Sequence, residues 1–332
     1  MQNTKASLLR LALAALLAAC MNSAAAFDLQ GHRGARGLAP ENTLTAFARA
    51  LSIGVTTLEM DAGVTADGVV VVSHDRRLNP DITRGTDGRW LTGRTFAIHD
   101  LTFRELQRYD VGRIKPGSDY SRRFTDQRRA DRLRIPSLEQ VFDLARHARN
   151  DRVRFNIETK LSPLEPEDTL PPDAFARALI DVVRASGMAA RTTIQSFDWR
   201  TLQVVQQEAP EIATSYLSVQ QQAEDTIQAA NPAGSPWTGG IRFRDHGSVP
   251  KMVKAAGGRV WSPYFGDLTT ELVKEAHALG LEVLPWTVNE PPDMERLIDW
   301  GVDGIITDYP DRLREVMADR RLPLPAPTPV NP

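Results

Sequence analysis

The stretch that most constrains the fold is residues 56–75, TTLEMDAGVTADGVVVVSHD. In a strand, alternate side chains point to opposite faces, so Leu58 and Met60 share one face while Glu59 and Asp61 share the other. Two like charges on one strand face repel each other and require a cation or a strong hydrogen-bond partner between them. With a rise of about 3.3 Å per residue, the two side chains start about 7 Å apart and can converge on one hard cation. The pattern therefore predicts a cation site, the alternative being the solvated face of an ordinary sheet.

The same stretch predicts a β-hairpin. A second apolar run at 69–72 follows the sequence TADG at 65–68, whose Asp-Gly pair is a strong tight-turn signal. If the chain reverses between positions 66 and 67, the paired positions sum to 133 and His74 lies directly across from Glu59. We therefore expect Glu59, Asp61 and His74 to form one polar patch at the end of a strand.

Length, charge and cysteine content limit the classes of protein to which the chain can belong. The chain has 332 residues, of which 42% are hydrophobic, and α/β barrels of about 250 residues are commonly single domains. One catalytic domain is therefore expected. The formal net charge of −2 and the pI near 6.3 argue against a nucleic-acid-binding protein, which usually carries a basic surface. The single cysteine is Cys20, so no internal disulfide is expected in the mature protein.

Residues 1–26 have the composition of an export signal. A short basic and polar start precedes an apolar run at 11–19 that is too short to span a bilayer. Two processing schemes remain open: cleavage after the three alanines at 24–26, or lipid attachment at Cys20 as in a bacterial lipoprotein. We expect an exported, periplasmic protein, with an anchored lipoprotein or a secreted protein as the alternatives. No later stretch reaches the about 20 apolar residues that a membrane span needs.

Strand and helix patterns alternate along the rest of the chain. The main predicted strands lie near positions 28, 57, 154, 192, 212, 259, 282 and 303. Eight strands with intervening helices predict an α/β fold, a closed parallel TIM (β/α)8 barrel, rather than an open doubly wound sheet. No Gly-x-Gly-x-x-Gly fingerprint follows the first strand, which also disfavours the open sheet. We predict a barrel domain over residues 27–315 and a proline-rich tail over residues 316–332, of which 322–332 are expected to be extended or disordered.

Residues 76–135, which follow the strand that carries His74, interrupt this alternation and predict an insertion with a small fold of its own. They contain 15 Lys and Arg against 8 Asp and Glu, a local charge of +7. The residues predicted to form its minor core are Trp90, Phe96, Ile98, Leu101, Phe103 and Leu106. The insertion is either a basic cap that attracts an anionic substrate or a solvated arginine-rich loop.

A glycine-rich loop, GHRGARG at 31–37, follows the first strand. Its three glycines would let the backbone approach a ligand closely, and Arg33 or Arg36 could bind a phosphate group bidentately. The alternative interpretation is a flexible surface loop.

Polar residues are predicted to converge at one rim, because the active site of a parallel barrel lies at the carboxyl ends of its strands. The residues at or near those ends are His32, Glu59, Asp61, Glu158, Lys160, Gln195 and Trp286. Three carboxylates without a cysteine suit one hard divalent cation, Ca²⁺ or Mg²⁺, better than zinc. We therefore predict Glu59, Asp61 and Glu158 as the metal ligands.

Two histidines, His32 and His74, are predicted beside this cluster. Either one alone could be structural, but their joint placement predicts a catalytic pair. A cation, two imidazoles and basic groups are suited to the hydrolysis of a phosphodiester. The cation with Arg33 or Lys160 would neutralise the phosphate oxygens, one imidazole would take a proton from the attacking hydroxyl, and the other would protonate the leaving alkoxide. A role of either imidazole as a metal ligand remains open.

Several strings in the chain together resemble the glycerophosphodiester phosphodiesterase family. They are GHRGARGLAPENTLTAF, LEMDAGVTADGVVVVSHD, IPSLEQVF, FNIETK, IQSFD, LPWTVN and GVDGIITDYP, and the resemblance extends from Leu29 to about Leu313. It implies a metal-dependent barrel enzyme that splits a small-molecule glycerophosphodiester into sn-glycerol 3-phosphate and an alcohol. Exported members of the family are usually calcium enzymes, and the insertion matches the small subdomain typical of the family.

The resemblance also implies roles for individual residues. It implies His32 and His74 as the acid/base pair, Glu59, Asp61 and Glu158 as metal ligands, and Arg33 and Lys160 as phosphate contacts. Gln195 is a further predicted substrate contact, and Phe197 and Trp286 are predicted walls of a glycerol pocket. The stretches 115–134 and 229–247 depart from the family pattern and leave the preferred alcohol open.

Two alternative functions remain open. The first is a related barrel phosphodiesterase acting on lysophospholipids or sphingomyelin in the manner of a phospholipase D, which the basic insertion would favour by contacting a lipid surface. The second is an exported glycerophosphodiester-binding protein without catalysis, against which the two histidines argue. The oligomeric state, and the choice between direct attack by water and a cyclic phosphate intermediate, are also open.

Overall fold

The structure, a computed structural model, describes residues 26–332. The strands are β1 Asp28–Gly31, β2 Thr57–Val64, β3 Val70–Val72, β4 Arg154–Thr159, β5 Thr192–Ser196, β6 Ala213–Ser218, β7 Gln220–Gln221, β8 Glu224–Asp225, β9 Val260–Pro263, β10 Glu282–Val283 and β11 Gly304–Thr307. The α-helices are α1 Leu44–Ile53, α2 Phe103–Leu106, α3 Asp119–Arg123, α4 Leu138–His147, α5 Pro172–Ala185, α6 Trp199–Glu208, α7 Phe243–His246, α8 Val249–Ala255, α9 Thr270–Ala278, α10 Pro291–Trp300 and α11 Pro310–Asp319.

Eight parallel strands of the described chain form the barrel. Their order in the sheet is β10-β9-β6-β5-β4-β2-β1-β11. The two outermost strands approach each other, because Asp303 N donates to Val283 O and Ile306 N donates to Pro285 O, both at 3.0 Å. The sheet is therefore nearly closed, and the predicted TIM barrel is confirmed.

The helices cover the outside of the barrel through apolar stripes. In α1, Phe47 and Leu51 are fully buried, and the helix begins at the N-cap Thr43, whose side chain accepts a hydrogen bond from the first turn. Beneath the helices lie the outward-facing residues of β2, among them Leu58 and Met60, which are also fully buried. Apolar packing on this outer face leaves the inner face of β2 for its polar residues.

The register of the parallel strands brings the polar residues to one level. In the ladder between β2 and β4, Glu59 lies beside Asn156 and Asp61 lies beside Glu158. In the next ladder, Glu158 of β4 lies beside Gln195 of β5. Three carboxylates and an amide are thus placed near the same end of the barrel by strand pairing alone.

The predicted hairpin is present between β2 and β3, but its predicted register is wrong by one residue. Val64 pairs with Val70, so the paired positions sum to 134. The loop contains the three residues 66–68 instead of two, and its last residue, a glycine, has φ of +80°. A left-handed residue at this position is typical of three-residue hairpin loops. His74 therefore does not lie across from Glu59; it follows β3 and reaches the site from beyond the end of the ladder.

Residues 76–135 contain α2 and α3 and a small apolar cluster. The buried members of that cluster are Val71, Leu78, Ile98, Leu101, Leu106, Val111 and Ile135. Phe103 packs against it, as predicted, but two of the predicted core residues do not belong to it. Phe96 is 57% exposed because the two residues that follow it take the inward positions. Trp90 is half-buried, with the guanidinium of Arg84 lying 5.8 Å from its ring centroid.

The structure describes the C-terminal end of the chain but not residues 1–25. Residues 322–332 form neither helix nor strand and run along the barrel, where Thr328 N donates to Leu51 O at 2.8 Å. The predicted export signal, with its cleavage site and Cys20, lies outside the described residues apart from its last position. Within residues 26–332, no helix is both long and apolar enough to cross a bilayer.

Candidate active site

Three carboxylates meet at the carboxyl end of the barrel strands. Glu59 and Asp61 point inward from β2, Glu158 points inward from β4, and one oxygen of each lies within 4.8 Å of the others. All three residues are buried, Asp61 completely. The structure thus places the three predicted metal ligands together, in an arrangement that can hold one ion.

The hydrogen bonds of these carboxylates leave room for a ligand. Glu59 accepts from the backbone N of Arg33 at 2.8 Å and from Gln195 Nε2 at 2.7 Å. Asp61 Oδ2 accepts from Asn42 Nδ2 at 2.9 Å, whereas its Oδ1 is buried without a hydrogen-bond partner. A buried polar atom without a partner costs free energy, and coordination to a hard cation would satisfy it. The donor set, oxygen without sulfur, fits Ca²⁺ or Mg²⁺.

The ion-pair cluster around Arg33 and Lys160 is acidic overall. Its carboxylates are Glu41, Glu59, Asp61 and Glu158. Arg33 Nη1 donates to Glu41 Oε1 at 2.8 Å, and Lys160 Nζ donates to Glu158 Oε1 at 2.7 Å. When these groups are all ionised, at least two negative charges remain uncompensated. A buried excess of negative charge of this size favours the binding of one divalent cation.

Burial separates the pKa values of the three carboxylates. It raises the pKa of Glu158 to about 7, opposed by Lys160 and reinforced by Asp61. Burial and the charge of Asp61 together raise the pKa of Glu59 well above its ordinary value. Burial also acts to raise the pKa of Asp61, but the positive charges around it outweigh burial and hold that pKa below its ordinary value. Asp61 is therefore the permanently ionised member of the group.

His32 is held by a carboxylate 276 positions away in the sequence. Its Nδ1 donates to Asp308 Oδ1 at 2.7 Å, and Asp308 also accepts from Arg36 Nε at 2.8 Å and from Asn289 Nδ2 at 2.8 Å. Because the proton sits on Nδ1, Nε2 is left as an acceptor, 3.9 Å from Glu59 Oε2. Burial and the charge of Arg36 lower the pKa of His32 to about 4, although Asp308 opposes them. The imidazole is therefore neutral near pH 7.

His74 has a similar support from its neighbour in the chain. Its Nδ1 donates to Asp75 Oδ1 at 3.1 Å, and Asp75 accepts from Asn79 Nδ2 at 2.7 Å. Burial, followed by the charges of Arg33 and Lys160, lowers the pKa of His74 to about 3. Both imidazoles are thus neutral, with Nδ1 engaged by a carboxylate, and both line the same cavity.

The loop at 31–37 is buried, which excludes the interpretation as a flexible surface loop. Gly34 has φ of +85°, and a Cβ there would lie only 2.7 Å from the carbonyl carbon of Ala46 in α1. A side chain at Gly37 would collide with the ring of Tyr309. At these two positions the protein's own atoms require glycine, and the close approach of a ligand to this loop stays a prediction.

The two arginines of this loop have carboxylate partners in the protein. Arg36 binds Asp308 through Nε at 2.8 Å and Nη2 at 2.9 Å, so the bidentate partner predicted as a phosphate is this side chain. Arg33 contacts Glu41 and, at 3.3 Å, Asp61. Its φ of 49° lies in the left-handed region, which is uncommon for a residue with a side chain and is found preferentially at functional sites. This conformation directs its backbone N–H to Glu59.

The other predicted substrate contacts line the same cavity as Glu59 and Glu158. The rings of Phe197 and Trp286 pack edge to face with their centroids 5.3 Å apart. Lys160 Nζ lies 5.9 Å from the centroid of Phe197. Gln195 also lines the cavity, but its amide nitrogen is occupied by Glu59. An apolar wall therefore adjoins the charged part of the site.

The cavity has a volume of about 610 Å³ and continues into a second cavity of about 710 Å³. The residues shared by the two are His74, Asp75, Glu158, Lys160, Phe197, Glu224 and Trp286. The insertion contributes to both: Tyr120 and Arg123 line the first, and Arg76 and Arg94 line the second. A polar substrate with two parts has room on either side of the carboxylates.

Comparison with known proteins gives the family. The sequence profile of the glycerophosphoryl diester phosphodiesterase family matches residues 32–312. The chain belongs to the glycerophosphoryl diester phosphodiesterase family. The resemblance inferred from its motifs is thereby confirmed, and the protein is an enzyme, a hydrolase of phosphodiesters.

Relatives and solved structures of this family agree with the assignment. A glycerophosphodiester phosphodiesterase from Caldanaerobacter subterraneus subsp. tengcongensis is 30% identical over 283 residues, which cover 85% of this chain and 94% of the relative. A solved structure from Silicibacter pomeroyi, provisionally named a glycerophosphoryl diester phosphodiesterase, is 39% identical with a TM-score of 0.79, covering 90% of this chain and 95% of that one.

A third comparison supports the fold alone. An Oleispira antarctica phosphodiesterase, solved with its product sn-glycerol-3-phosphate, is 21% identical with a TM-score of 0.62 and covers 87% of this chain and 96% of that chain. The barrel is therefore shared with phosphodiesterases of low sequence identity.

Several site residues of this family member were missed by the sequence reasoning. Asp308 follows the last barrel strand, and the rule that selected Glu158, a carboxylate at a strand end, could have found it. Glu41 and Asn42 precede α1, and no local pattern marks them as partners of Arg33 and Asp61. Their roles depend on how the loop folds back against β2.

Proposed function

We propose that this enzyme hydrolyses glycerophosphodiesters to sn-glycerol 3-phosphate and an alcohol, with one divalent cation and two histidines. The observation that carries the proposal is the buried group of Glu59, Asp61 and Glu158, two of which, Glu59 and Glu158, line one cavity with His32 and His74. Family membership and the similarity to the Caldanaerobacter glycerophosphodiester phosphodiesterase support the reaction class.

Glu59, Asp61 and Glu158 would hold the cation, which we propose to be Ca²⁺ or Mg²⁺, with calcium favoured. When bound, the cation supplies positive charge that stabilises the developing charge on the phosphate oxygens. Two features support this assignment: the Oδ1 of Asp61, which has no hydrogen-bond partner and only the distant ammonium of Lys160 at 3.8 Å, and the excess of negative charge. Because the pKa values of Glu59 and Glu158 are raised, both would release protons as the site fills.

Lys160 and Arg33 are the proposed phosphate contacts. Both line the cavity, and both are paired with carboxylates in this structure. Lys160 is flanked by Glu158 at 2.7 Å and by the ring of Phe197, so its ammonium lies where the charged and apolar parts of the cavity meet. We place the glycerol part of the substrate against Phe197 and Trp286, and the leaving alcohol in the adjoining cavity.

The two imidazoles would divide the proton transfers between them. Each begins neutral with Nδ1 bound to a carboxylate, so each can accept a proton at Nε2. An anionic phosphate entering between them favours the charged form of an imidazole, which allows one of the pair to act as the acid. One histidine then takes the proton of the attacking hydroxyl, and the other gives a proton to the leaving oxygen.

The proposal is tested by a product assay on chelator-treated protein. Glycerophosphocholine is incubated with the stripped enzyme, with and without added Ca²⁺ or Mg²⁺, and sn-glycerol 3-phosphate is quantified with a coupled dehydrogenase. The expected result is release that depends on the added cation. Release of glycerol or of phosphocholine instead would refute the proposed products, and binding without any release would favour a binding protein.

A second candidate substrate is a lysophospholipid. The observation that favours it is the insertion, where Phe96 is 57% exposed and exposed arginines such as Arg94 and Arg123 lie at the cavities. Apolar and cationic side chains together suit contact with an anionic lipid surface. Comparison of turnover on soluble glycerophosphocholine and on micellar lysophosphatidylcholine separates the two substrates.

We also propose that the protein is exported. The proposal depends on the composition of residues 1–26 and on no structural feature. Mass spectrometry of the mature N-terminus distinguishes cleavage before Phe27 from lipid attachment at Cys20.

A further inference from the structure

A line of buried polar side chains crosses the inside of the barrel beneath the carboxylates. It consists of Asp28, Gln30, Asn156, Gln195 and Glu59, none of them more than 7% exposed. The interior of a TIM barrel is usually filled by branched apolar side chains, and buried amides cost free energy unless they are hydrogen-bonded. These polar residues replace apolar packing that would otherwise stabilise the barrel, which points to a role in the site above them.

Each member of the line contacts the next one. Gln30 Nε2 donates to Asp28 Oδ2 at 2.9 Å, and Gln195 Nε2 donates to Glu59 Oε1 at 2.7 Å. Between them, Asn156 Nδ2 donates to Gln30 Oε1 and to Gln195 Oε1, each at 2.9 Å. The bonds join strands β1, β4, β5 and β2, so they cross the barrel instead of following one strand.

The hydrogen bonds of this line are donated outward from Asn156 in both directions. An ionised carboxylate can only accept, so Gln30 presents its nitrogen to Asp28 and its oxygen to Asn156. Asn156 uses its amide nitrogen for two glutamine oxygens, and its own Oδ1 is buried without a partner. With its oxygen occupied, Gln195 offers its nitrogen to Glu59. Reversing the Asn156 amide would break both of its bonds.

We propose that Asn156 is a positioning residue of the cation site, acting through Gln195 on the carboxylate of Glu59. The proposal rests on the proposed function, because Glu59 is one of the three proposed ligands. Gln195 on Oε1 and the backbone N of Arg33 on Oε2 fix the plane of this carboxylate. Hydrogen bonds behind a ligand commonly change cation affinity by about 10–100-fold. In this role Gln195 orients a ligand and does not bind the substrate.

The test is a double-mutant cycle read by cation affinity. Calorimetric titration of the chelator-treated full chain with Ca²⁺ and with Mg²⁺ is carried out on the wild type, Asn156→Asp, Gln195→Met and the double variant. Each single change is expected to weaken cation binding by about 10–100-fold. The double variant is expected to bind no more weakly than Gln195→Met, because Asn156 acts only through Gln195.

Thr57→Val is the matched control. Thr57 Oγ1 donates to Asp28 Oδ1 at 2.7 Å. This change therefore removes a buried hydrogen bond to Asp28, the member of the line that lies farthest from Glu59 and outside the path from Asn156 to Glu59. It should lower the thermal unfolding temperature and leave cation affinity unchanged. If Asn156→Asp folds poorly, the near-isosteric and uncharged Gln195→Met measures the last step of the path by itself.

Wild-type cation affinity in both single variants would overturn the proposal, and so would losses that simply add in the double variant. Weakened binding in Thr57→Val would also overturn it, because the effect would then reflect general stability. If the wild type itself bound no divalent cation, the proposed function would fail instead. The two failures are therefore distinguishable.

Discussion

At the scale of single residues, the two imidazoles share a protonation state but differ in their supports. His32 is bound by Asp308, which is itself fixed by Arg36 and Asn289, and every one of these bonds is 2.9 Å or shorter. His74 is bound by Asp75 at the longer distance of 3.1 Å. The more rigid support of His32 suits a group that must point its Nε2 at a defined position.

The acid and the base can be told apart with the leaving group. His32→Ala and His74→Ala should each lose about 10²–10⁴-fold in kcat on glycerophosphocholine. On the p-nitrophenyl ester of sn-glycerol 3-phosphate, the variant that lacks the acid should recover most of its turnover, because p-nitrophenolate leaves without a proton. The variant that lacks the base should stay slow on both substrates. Equal losses on both substrates in both variants would contradict the proposed division of roles.

Asp308→Asn tests the support of His32. The amide keeps the size of the side chain but weakens the pairing with Arg36 and removes the charge that holds the proton on Nδ1 of His32. We expect kcat to fall by about a hundredfold or more while the Kd for the cation stays unchanged, since Asp308 contacts none of the three carboxylates. Steady-state kinetics and calorimetry on the same preparation measure both. A loss of cation binding would show that Asp308 supports the whole site.

At the scale of elements, the β2–β3 hairpin positions His74. Its loop ends at Gly68, whose φ is +80°, and a Cβ at this position would have no heavy atom within 4 Å. Gly68→Ala should therefore lower the free energy of unfolding by about 1 kcal/mol through backbone strain alone. Urea denaturation measures the change, with Gly68→Asn as the control, because asparagine tolerates left-handed φ. An unchanged stability in Gly68→Ala would mean that the loop adopts another conformation.

In the hairpin, the sequence predicted the position of the turn but not the register of the two strands. The apolar runs and the Asp-Gly pair predicted the turn correctly, because these signals are local. The register depends on whether the loop has two residues or three, and Asp-Gly suits both. Alternation along β2, in contrast, correctly predicted that Glu59 and Asp61 share the inward face, because burial of one face admits only one alternation.

The partners of the site residues were predictable only in part. Glu59, Asp61 and Glu158 could be placed together because each lies at the end of a predicted strand in a predicted barrel. The sequence allowed Arg36 as one of two possible phosphate ligands, because its carboxylate partner, Asp308, lies 272 positions away and contacts it only once the barrel is nearly closed. The left-handed backbone of Arg33 has no sequence signal at all.

At the scale of the whole molecule, the cation and the fold should stabilise each other. Without the cation, the pKa of Glu158 is about 7, above its value in the unfolded chain, so its contribution to stability is present at low pH and is lost as pH rises through about 7. Between pH 5 and pH 8, a range that brackets the cited value of about 7, the stripped wild type should therefore lose stability relative to Glu158→Gln. The comparison is made with this variant because the lowered pKa values of His32 and His74 make stability rise with pH in both proteins.

Added Ca²⁺ or Mg²⁺ should reverse this loss, because the cation binds the ionised carboxylates of the folded state. The rise in unfolding temperature on adding cation should be larger at pH 8 than at pH 6, as measured by differential scanning calorimetry. Glu158→Gln is the control and should reduce both the pH dependence and the response to the cation. A larger rise at pH 6 would contradict the assigned direction of the pKa shift.

The most direct test of the account is a calorimetric titration of the chelator-treated protein with Ca²⁺ and with Mg²⁺, in parallel with Asp61→Asn. One cation should bind per wild-type chain, and Asp61→Asn should lose at least about a hundredfold in affinity, because the Oδ1 of Asp61, buried without a hydrogen-bond partner, is the strongest sign of the site. Equal affinity in the two proteins, or no binding in the wild type, would contradict it.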